Sequence, residues 1–528
     1  MSASSEVVPI RVLESAAIDA TLGCRERHLL ACARDAFLAE STSTLAESTP
    51  SLFLVRAPGR VNLIGEHVDY SGYSVLPMAL EECVLIAGRT RRRANTKTPP
   101  HTETVSVTLE VRNVDQDFSA RKVNASLETI QSRPFHWSSY VVAGYLGVVE
   151  HYHIAPAARL SLELLVDGNV PRGAGLSSSS ALVCASALAT AVAHGLAPNK
   201  LEMAELCASC ERYIGVESGG MDQAISFLAE SGTAKHIEFS PLAAHDVILP
   251  RGYTFLIASS GKHHSVQESQ YSMRVVECRL AAVLLAHRLG LSADGIRTLR
   301  DTHERYSSAR RVSGSSTEKT ARSVSLSQMA ELVAEHICHS APYTAVELSR
   351  VLPLERESVD PSSSSSASSP PPCSSSSLDA FFAKYDPARL GQRTGGYKLF
   401  ERATHVYEEA SRVLEFRRVC ESSSVDAQKL GSLMNASHQS LRDRFECSCA
   451  ELDLLTAHCR RKGALGSRMT GAGWGGWTVS LLREEDAVRF LTVELPSFYA
   501  LPAAQVQGKH ALTTAPGAGA SAWICDCP

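Results

Sequence analysis

The stretch Leu162-Glu-Leu-Leu-Val-Asp-Gly-Asn-Val-Pro-Arg-Gly-Ala-Gly-Leu-Ser-Ser-Ser-Ser180 decides how the chain is read. Leu162, Leu164 and Val166 alternate along one face, the period of a β-strand, and Asp167-Gly168 marks a turn. An uncharged, alanine-rich run then predicts a helix over Ser179–His194. Between strand and helix lie Gly173 and Gly175, which let the backbone approach a ligand closely, and the serines Ser177–Ser180. Amides and hydroxyls at a helix N-terminus, with the helix dipole behind them, make an anion site suited to nucleotide phosphates. No Gly-Lys-Ser/Thr closes the loop, so it is not a Walker A element. A serine N-cap on an ordinary core helix accounts for the same residues without any ligand.

Three further segments carry potential chemistry. Ala57-Pro-Gly-Arg-Val-Asn-Leu-Ile-Gly-Glu-His-Val-Asp-Tyr70 follows a strand-like run, Leu52–Val55, and crowds Arg60, Asn62, Glu66, His67 and Asp69 into ten residues. Such a mixture of donors and acceptors suits a polyhydroxyl ligand, whereas one histidine with two carboxylates is weak metal spacing. Gly466-Ser-Arg-Met-Thr-Gly-Ala-Gly-Trp-Gly-Gly476 formally contains GxGxxG. A dinucleotide fingerprint opens a helix, and this one opens a strand, Trp477–Leu481, so a dehydrogenase is rejected. In Glu211-Arg-Tyr-Ile-Gly-Val-Glu-Ser-Gly-Gly-Met-Asp-Gln223, one carboxylate could hold Mg²⁺ against phosphates while the other meets a substrate hydroxyl. Surface carboxylates are the default for that stretch alone.

The chain of 528 residues has 52 basic and 56 acidic side chains and a net charge of −4, which excludes a nucleic-acid binder driven by bulk positive charge. The longest uncharged candidate for a membrane span, Leu176–Ala193, carries five serines and a threonine, whereas a spanning helix needs about 20 mostly apolar residues. Met1–Ile10 lacks the basic start and apolar core of a secretory signal, and the 15 cysteines are an odd, scattered set; reduced thiols and a cytoplasmic location are expected. Cys207 and Cys210 form a CxxC, but they share a helical apolar stripe with Met203, Leu206 and Ile214, which predicts buried core thiols. No function attaches to Cys447–Cys449 or Cys525–Cys527.

Alternating strand and helix patterns predict an α+β protein of two lobes, with further strands at Tyr253–Ala258 and helices at Lys200–Ile214, Val275–Leu289, Tyr397–Phe416 and Cys449–Arg461. A leader, residues 1–50, is expected to hold one helix around Ala17–Ala39. The cluster Arg89–Arg93 reads as a solvated turn, and Tyr306–Ser325 as an insertion. Residues 361–377, with eleven serines and four prolines, have too little apolar surface to order, so a disordered insertion is expected at about 356–378.

Taken together, GRVNLIGEHVDY with SGYSVLPMAL, then PRGAGLSSSSA, then GSRMTGAGWGG resemble the GHMP small-molecule kinases, most closely the galactokinase group with its N-acetylgalactosamine kinase relatives. The similarity runs from about Ser51 to Leu482. It implies the two-lobed GHMP kinase fold, with a ribosomal protein S5 domain 2-like first lobe (51–245) and a second lobe containing a ferredoxin-like unit (246–528). The implied reaction is ATP-dependent phosphorylation of the anomeric hydroxyl of galactose, by a monomer, with Mg²⁺. By position, Asp222 matches the catalytic aspartate and Arg60 the arginine beside it; Arg60, Glu66, His67, Asp69, Gly219, Asp222 and Tyr271 would line the sugar site. Gly173, Ala174, Gly175, Leu176, Ser177, Ser178 and Ser179 match the phosphate loop, Trp137 and Tyr140 the adenine surround, and Ser179 with Glu211 the Mg²⁺ ligands. Tyr271 favours galactose over N-acetylgalactosamine, and the full-length serine run with Asp222 favours an enzyme over a silent sugar sensor. One departure is Trp477, where the group often has Cys; it is expected to point into the core.

Overall fold

The protein is described by a computed structural model covering residues 6–14, 17–38, 52–91, 107–132, 134–173, 175–215, 219–263, 270–313, 324–339, 341–352 and 375–526. The first lobe is built on strands β1 (Ile10–Glu14), β2 (Leu52–Ile64), β3 (Leu76–Arg91), β4 (Thr108–Asn113), β5 (Arg121–Asn124) and β6 (Ser161–Gly168). Its helices are α1 (Cys24–Leu38), α2 (Ser138–His151), α3 (Ser178–Ala193), α4 (Lys200–Cys210) and α5 (Met221–Leu228). A hairpin of β7 (Ala234–Glu238) and β8 (Ala243–Val247) leads to the second lobe. There β9 (Tyr253–Ser259), β10 (Gly466–Thr470), β11 (Trp477–Arg483) and β12 (Ala511–Thr514) make an antiparallel sheet in the order β10-β11-β9-β12. Helices α8 (Leu399–Cys420), α9 (Ala427–Asp443) and α10 (Ala450–Arg461) pack on it, while α6 (Tyr271–Arg288) lies against α8 and α7 (Leu299–Ser313) against α6.

The last strand, β13 (Ser521–Asp526), does not stay in the second lobe. It returns to the first sheet and lies between β1, parallel, and β2, antiparallel, giving the order β1-β13-β2-β3-β6-β4-β5. The division expected at 245/246 is therefore crossed again at the end of the chain, and β1 makes residues 10–14 part of the sheet. The leader holds one turn, Ile18–Thr21, and then α1, broken where Leu22 turns extended. Leu29, Ala33 and Phe37 on α1 bury against Leu54, Leu85 and Leu165, so α1 covers one face of the sheet. The other face carries α2 and α3. These two helices touch closely because Gly144 has no side chain: a Cβ there would sit 2.7 Å from the Val183 carbonyl. Covered on both sides, β2 is buried along almost its whole length.

Two features of β2 prepare the site. Its register against β3 shifts between Pro58 and Arg60, since a proline cannot donate to the ladder and a bulge absorbs it. The chain also passes under the serine loop at Gly59, where a Cβ would lie 2.9 Å from the Leu176 carbonyl. The Arg60 N–H then donates to that same carbonyl at 3.1 Å.

Several expectations need correction. Arg89 and Arg91 lie on β3 rather than in a turn, because Glu163 on neighbouring β6 neutralises Arg89 at 2.6 Å and the Phe37 carbonyl takes a second N–H; Arg92 and Arg93 fall outside the described residues. Tyr306–Ser313 continues α7 rather than starting an insertion, and Ser325 caps the helix Leu326–His336 with a capping box to Gln328. Of the Ser/Pro stretch, 361–374 lies outside the described residues and Ser375–Ser377 begin a helix running to Tyr385. Cys207 and Cys210 are free and buried, as their stripe predicted, and burial pushes both thiols up. Trp477 is buried in the second lobe's core. Among the described residues no helix is long and apolar enough to cross a membrane.

Candidate active site

A cavity of about 540 Å³ opens between the lobes, and all the motif segments border it. Arg60 from β2, Asp222 from α5 and the Gly175–Ser180 loop meet at one end. The Arg60 Nε donates to Asp222 Oδ1 at 2.7 Å, and its Nη1 donates to the Gly175 carbonyl. The other carboxylate oxygen of Asp222, Oδ2, accepts from the Ser177 hydroxyl and lies 3.4 Å from Ser180 Oγ. Local backbone makes this possible. Gly220, in left-handed conformation (φ 94°), turns the chain so that α5 starts at Met221 and presents Asp222 in its first turn. Ser177 is itself left-handed (φ 62°) and so makes no capping bond to α3; its hydroxyl turns to Asp222 instead. The structure therefore decides against a plain serine N-cap.

Residues of the Ala57–Tyr70 segment, the expected sugar loop, border the same cavity. His67 is buried, and burial, reinforced by His405, Arg274 and Arg468, lowers its pKa to about 3, so the ring is neutral. Its Nε2 faces the Ala472 carbonyl at 3.0 Å, which can only accept; the ring proton is assigned to Nε2, and Nδ1 accepts from the Tyr70 hydroxyl at 3.0 Å. Tyr271, at the start of α6, packs tilted on His67 with ring centroids 5.6 Å apart. Gly219 backs onto Asp69 so closely that any Cβ would collide with the Asp69 carboxyl group. Glu66 differs from its neighbours. Its Oε1 accepts the Gly471 N–H at 2.6 Å and lies 3.1 Å from Thr470 Oγ1, and its Oε2 accepts from Asn62 Nδ2 at 2.5 Å. It borders the cavity while also tying the loop to the second lobe.

Asp69 is held in an unfavourable state. Burial first, and then the nearby Asp222 carboxylate, raise its pKa to about 6. A raised carboxyl favours folding fully below its unfolded value of 3.8, and this contribution disappears as pH rises through about 6. Asp69→Asn is neutral throughout, so it is expected to melt higher than the parent at about pH 8 and to lose that advantage near pH 4. Thermal melts across this range check it; a difference independent of pH would contradict the assignment.

Of the expected phosphate loop, Gly173, Gly175, Ser177, Ser178 and Ser179 border the cavity, Leu176 is buried, and Ala174 lies outside the described residues. Glu211 and Ser179, expected together as Mg²⁺ ligands, both border this end of the cavity. Glu211 Oε1 accepts from Ser180 Oγ at 2.6 Å, while Ser179 bonds the Tyr140 hydroxyl. One helical residue is a rotation of about 100°, and that step turns Ser180 inward and Ser179 toward the cavity. Trp137 and Tyr140 border the far end, with Phe118 edge-on to Trp137 at 5.5 Å and Phe135 edge-on to Tyr140 at 5.3 Å. The Arg172 guanidinium lies 4.1 Å over Phe118 and pairs with Asp115. Phe118 and Arg172 were not singled out in the sequence, where the only signal was that Arg172 flanks the glycines of the serine loop.

The third glycine segment is the hairpin turn between β10 and β11, not the opening of a helix. Its Gly471 lies against Gly175, backbone to backbone, and its Trp474 is left-handed (φ 55°).

Comparison with known proteins agrees with this layout. Three family descriptions match: "Galactokinase galactose-binding signature" over residues 43–90, "GHMP kinases N terminal domain" over 139–230 and "GHMP kinases C terminal" over 423–501. The galactokinase of Dictyostelium discoideum is 38% identical over 479 residues, covering 86% of this chain and 85% of that protein. The galactokinase of Saccharomyces cerevisiae is 32% identical over 487 residues, covering 83% and 86%. The crystal structure of Lactococcus lactis galactokinase complexed with galactose superposes with a TM-score of 0.63 at 22% identity, over 93% of this chain and 99% of that one, and so shares the GHMP kinase fold. With motif order, fold and similarity over most of its length in agreement, the chain belongs to the galactokinase family.

Proposed function

We propose that this enzyme transfers the γ-phosphoryl group of ATP to the anomeric hydroxyl of galactose, giving galactose 1-phosphate and ADP. The observation that carries this reading is the Arg60–Asp222 pair, 2.7 Å apart, in one cavity shared by the sugar loop and the serine loop. Phosphoryl transfer depends mainly on positioning and on stabilising charge, and both are supplied here by fixed groups. Asp222 accepts the proton of the C1 hydroxyl through its carboxylate, and Arg60 holds that carboxylate in place and faces the charge that develops. Glu66, His67, Asp69, Gly219 and Tyr271 shape the sugar end. Neutral His67 already spends its Nε2–H on the Ala472 carbonyl, so it orients ring and loop rather than moving a proton.

The amides and hydroxyls of Gly173–Ser179 receive the phosphates, and Trp137 and Tyr140 take the adenine. A divalent cation fits the oxygen-only donors at this end: Ser179 and Glu211 would hold Mg²⁺, which prefers few protein oxygens with phosphate and water completing its shell. When bound, Mg²⁺ neutralises phosphate charge. With thiols such as Cys207 buried and unpaired, the reading is of a monomeric cytoplasmic enzyme of two lobes, about 51–245 and 246–528, exchanging β13 as described.

An ADP-release assay with galactose, N-acetylgalactosamine and glucose tests this. The expected result is the highest kcat/KM for galactose, because Tyr271 closes against His67 and Tyr70 at the sugar end. A higher kcat/KM for N-acetylgalactosamine would reassign the substrate, and ADP release indifferent to any sugar would end the sugar-kinase reading.

A further inference from the structure

Beside the sugar loop lies a buried polar network that no part of the mechanism above uses. Arg468 on β10, Ser437 on α9 and Glu409 on α8 are each at most 0% exposed, and none of them borders the cavity. Glu409 Oε1 accepts the Gly65 N–H at 3.0 Å and the Ser437 hydroxyl at 2.6 Å. Ser437 Oγ in turn accepts from Arg468 Nε at 3.1 Å. Arg468 Nη1 donates to the Asn62 carbonyl at 2.9 Å, and its Nη2 stands 3.7 Å from Glu66 Oε1. Arg412 balances Glu409 at 2.6 Å, so two cations face two anions and the buried charge is compensated.

The ends of this network are groups of the sugar loop: the Asn62 carbonyl, the Gly65 N–H and the Glu66 carboxylate. Gly65 is left-handed (φ 104°), and the turn it makes sends His67 and Asp69 to the cavity. Buried on all sides, the network has no water to replace a lost partner, so each bond it makes to the loop is firm.

We propose that Arg468, Ser437 and Glu409, all from the second lobe, are positioning residues that set the sugar loop for galactose without touching either substrate. This rests on the galactose reading above and adds to it the source of the loop's geometry. It also predicts a split between substrates, because the network bonds the loop and not the Gly173–Ser179 segment.

Two full-length variants test it. Arg468→Lys keeps the charge but loses the planar fork that reaches Ser437, Asn62 and Glu66 together. Galactose KM is expected to rise at least about tenfold while ATP KM and kcat stay within about threefold. Ser437→Ala removes one hydroxyl with little change of volume and is expected to raise galactose KM about three- to tenfold, with ATP KM again unmoved. Galactose KM unchanged in Ser437→Ala, or both KM values rising together in either variant, overturns the proposal; should Arg468→Lys not fold, Ser437→Ala decides alone. A parent enzyme that fails to phosphorylate galactose would count against the functional reading instead, so the two failures are distinguishable.

Discussion

Asp222→Ala is expected to lower kcat for galactose by about a thousandfold or more while ATP affinity stays within about threefold. The carboxylate is the acceptor for the C1 hydroxyl proton in the proposed reaction, and among the described residues no other carboxylate is as well placed beside Arg60. Glu66 is saturated by Gly471, Thr470 and Asn62. Glu211 is bonded by Ser180, and Asp69 is held by burial with a raised pKa. Nucleotide binding survives because the serine loop is anchored independently: Leu176 accepts the Arg60 N–H and the loop packs on Gly59. Asp222→Asn separates the two roles of the carboxylate, since its amide oxygen still accepts from Arg60 but cannot take a proton. It should be as inactive as the alanine variant. Steady-state kcat with calorimetric ATP titration checks both variants, and a kcat within tenfold of the parent would remove Asp222 from the chemistry.

Gly175→Ala should cost about a hundredfold in kcat/KM for ATP. Two penalties combine there. The residue is left-handed (φ 66°), and a Cβ would lie 2.6 Å from the Thr470 carbonyl. The obstacle is backbone, and on its side Gly471 already presses against Gly175, so neither loop can step aside. Displacing Gly175 would also withdraw the carbonyl that accepts Arg60 Nη1. Gly195→Ala is the control: it too is left-handed (φ 69°) but meets nothing within 4 Å, so it reports the backbone cost alone, about 1–2 kcal/mol. Equal activity losses in the two variants would show that close approach of the loops is not what Gly175 provides.

The site was legible in the sequence because its chemistry is written in short, contiguous segments. Arg60 to Asp69, Gly173 to Ser179 and Glu211 to Asp222 each carry their own turn residues, and strand or helix patterns flank them. What escaped were effects decided by partners far along the chain. Arg89 reads as a solvated charge until Glu163 on the neighbouring strand is known to pair with it. Glu66 reads as one ligand group among five until Thr470 and Gly471 are placed against it from more than 400 residues away. That Ser180, of the four serines, is the one that bonds Glu211 turns on the exact rotation of one helix, which a run of identical residues cannot specify.

The return of β13 has a consequence for how the molecule is made. Residue 522 lies opposite residue 10 on one side and residue 55 on the other, so the strand separating β1 from β2 is synthesised after every other strand of that sheet. At about 5–20 residues per second the ribosome takes roughly 25 to 90 seconds to pass from Ile64, the end of β2, to Ser521. Until then β2 offers an unpaired edge to the surrounding solution, and pairing across such a sequence separation is slow to close. A premature stop codon shortly before Ser521 would leave every motif residue intact and still deprive the first sheet of an interior strand.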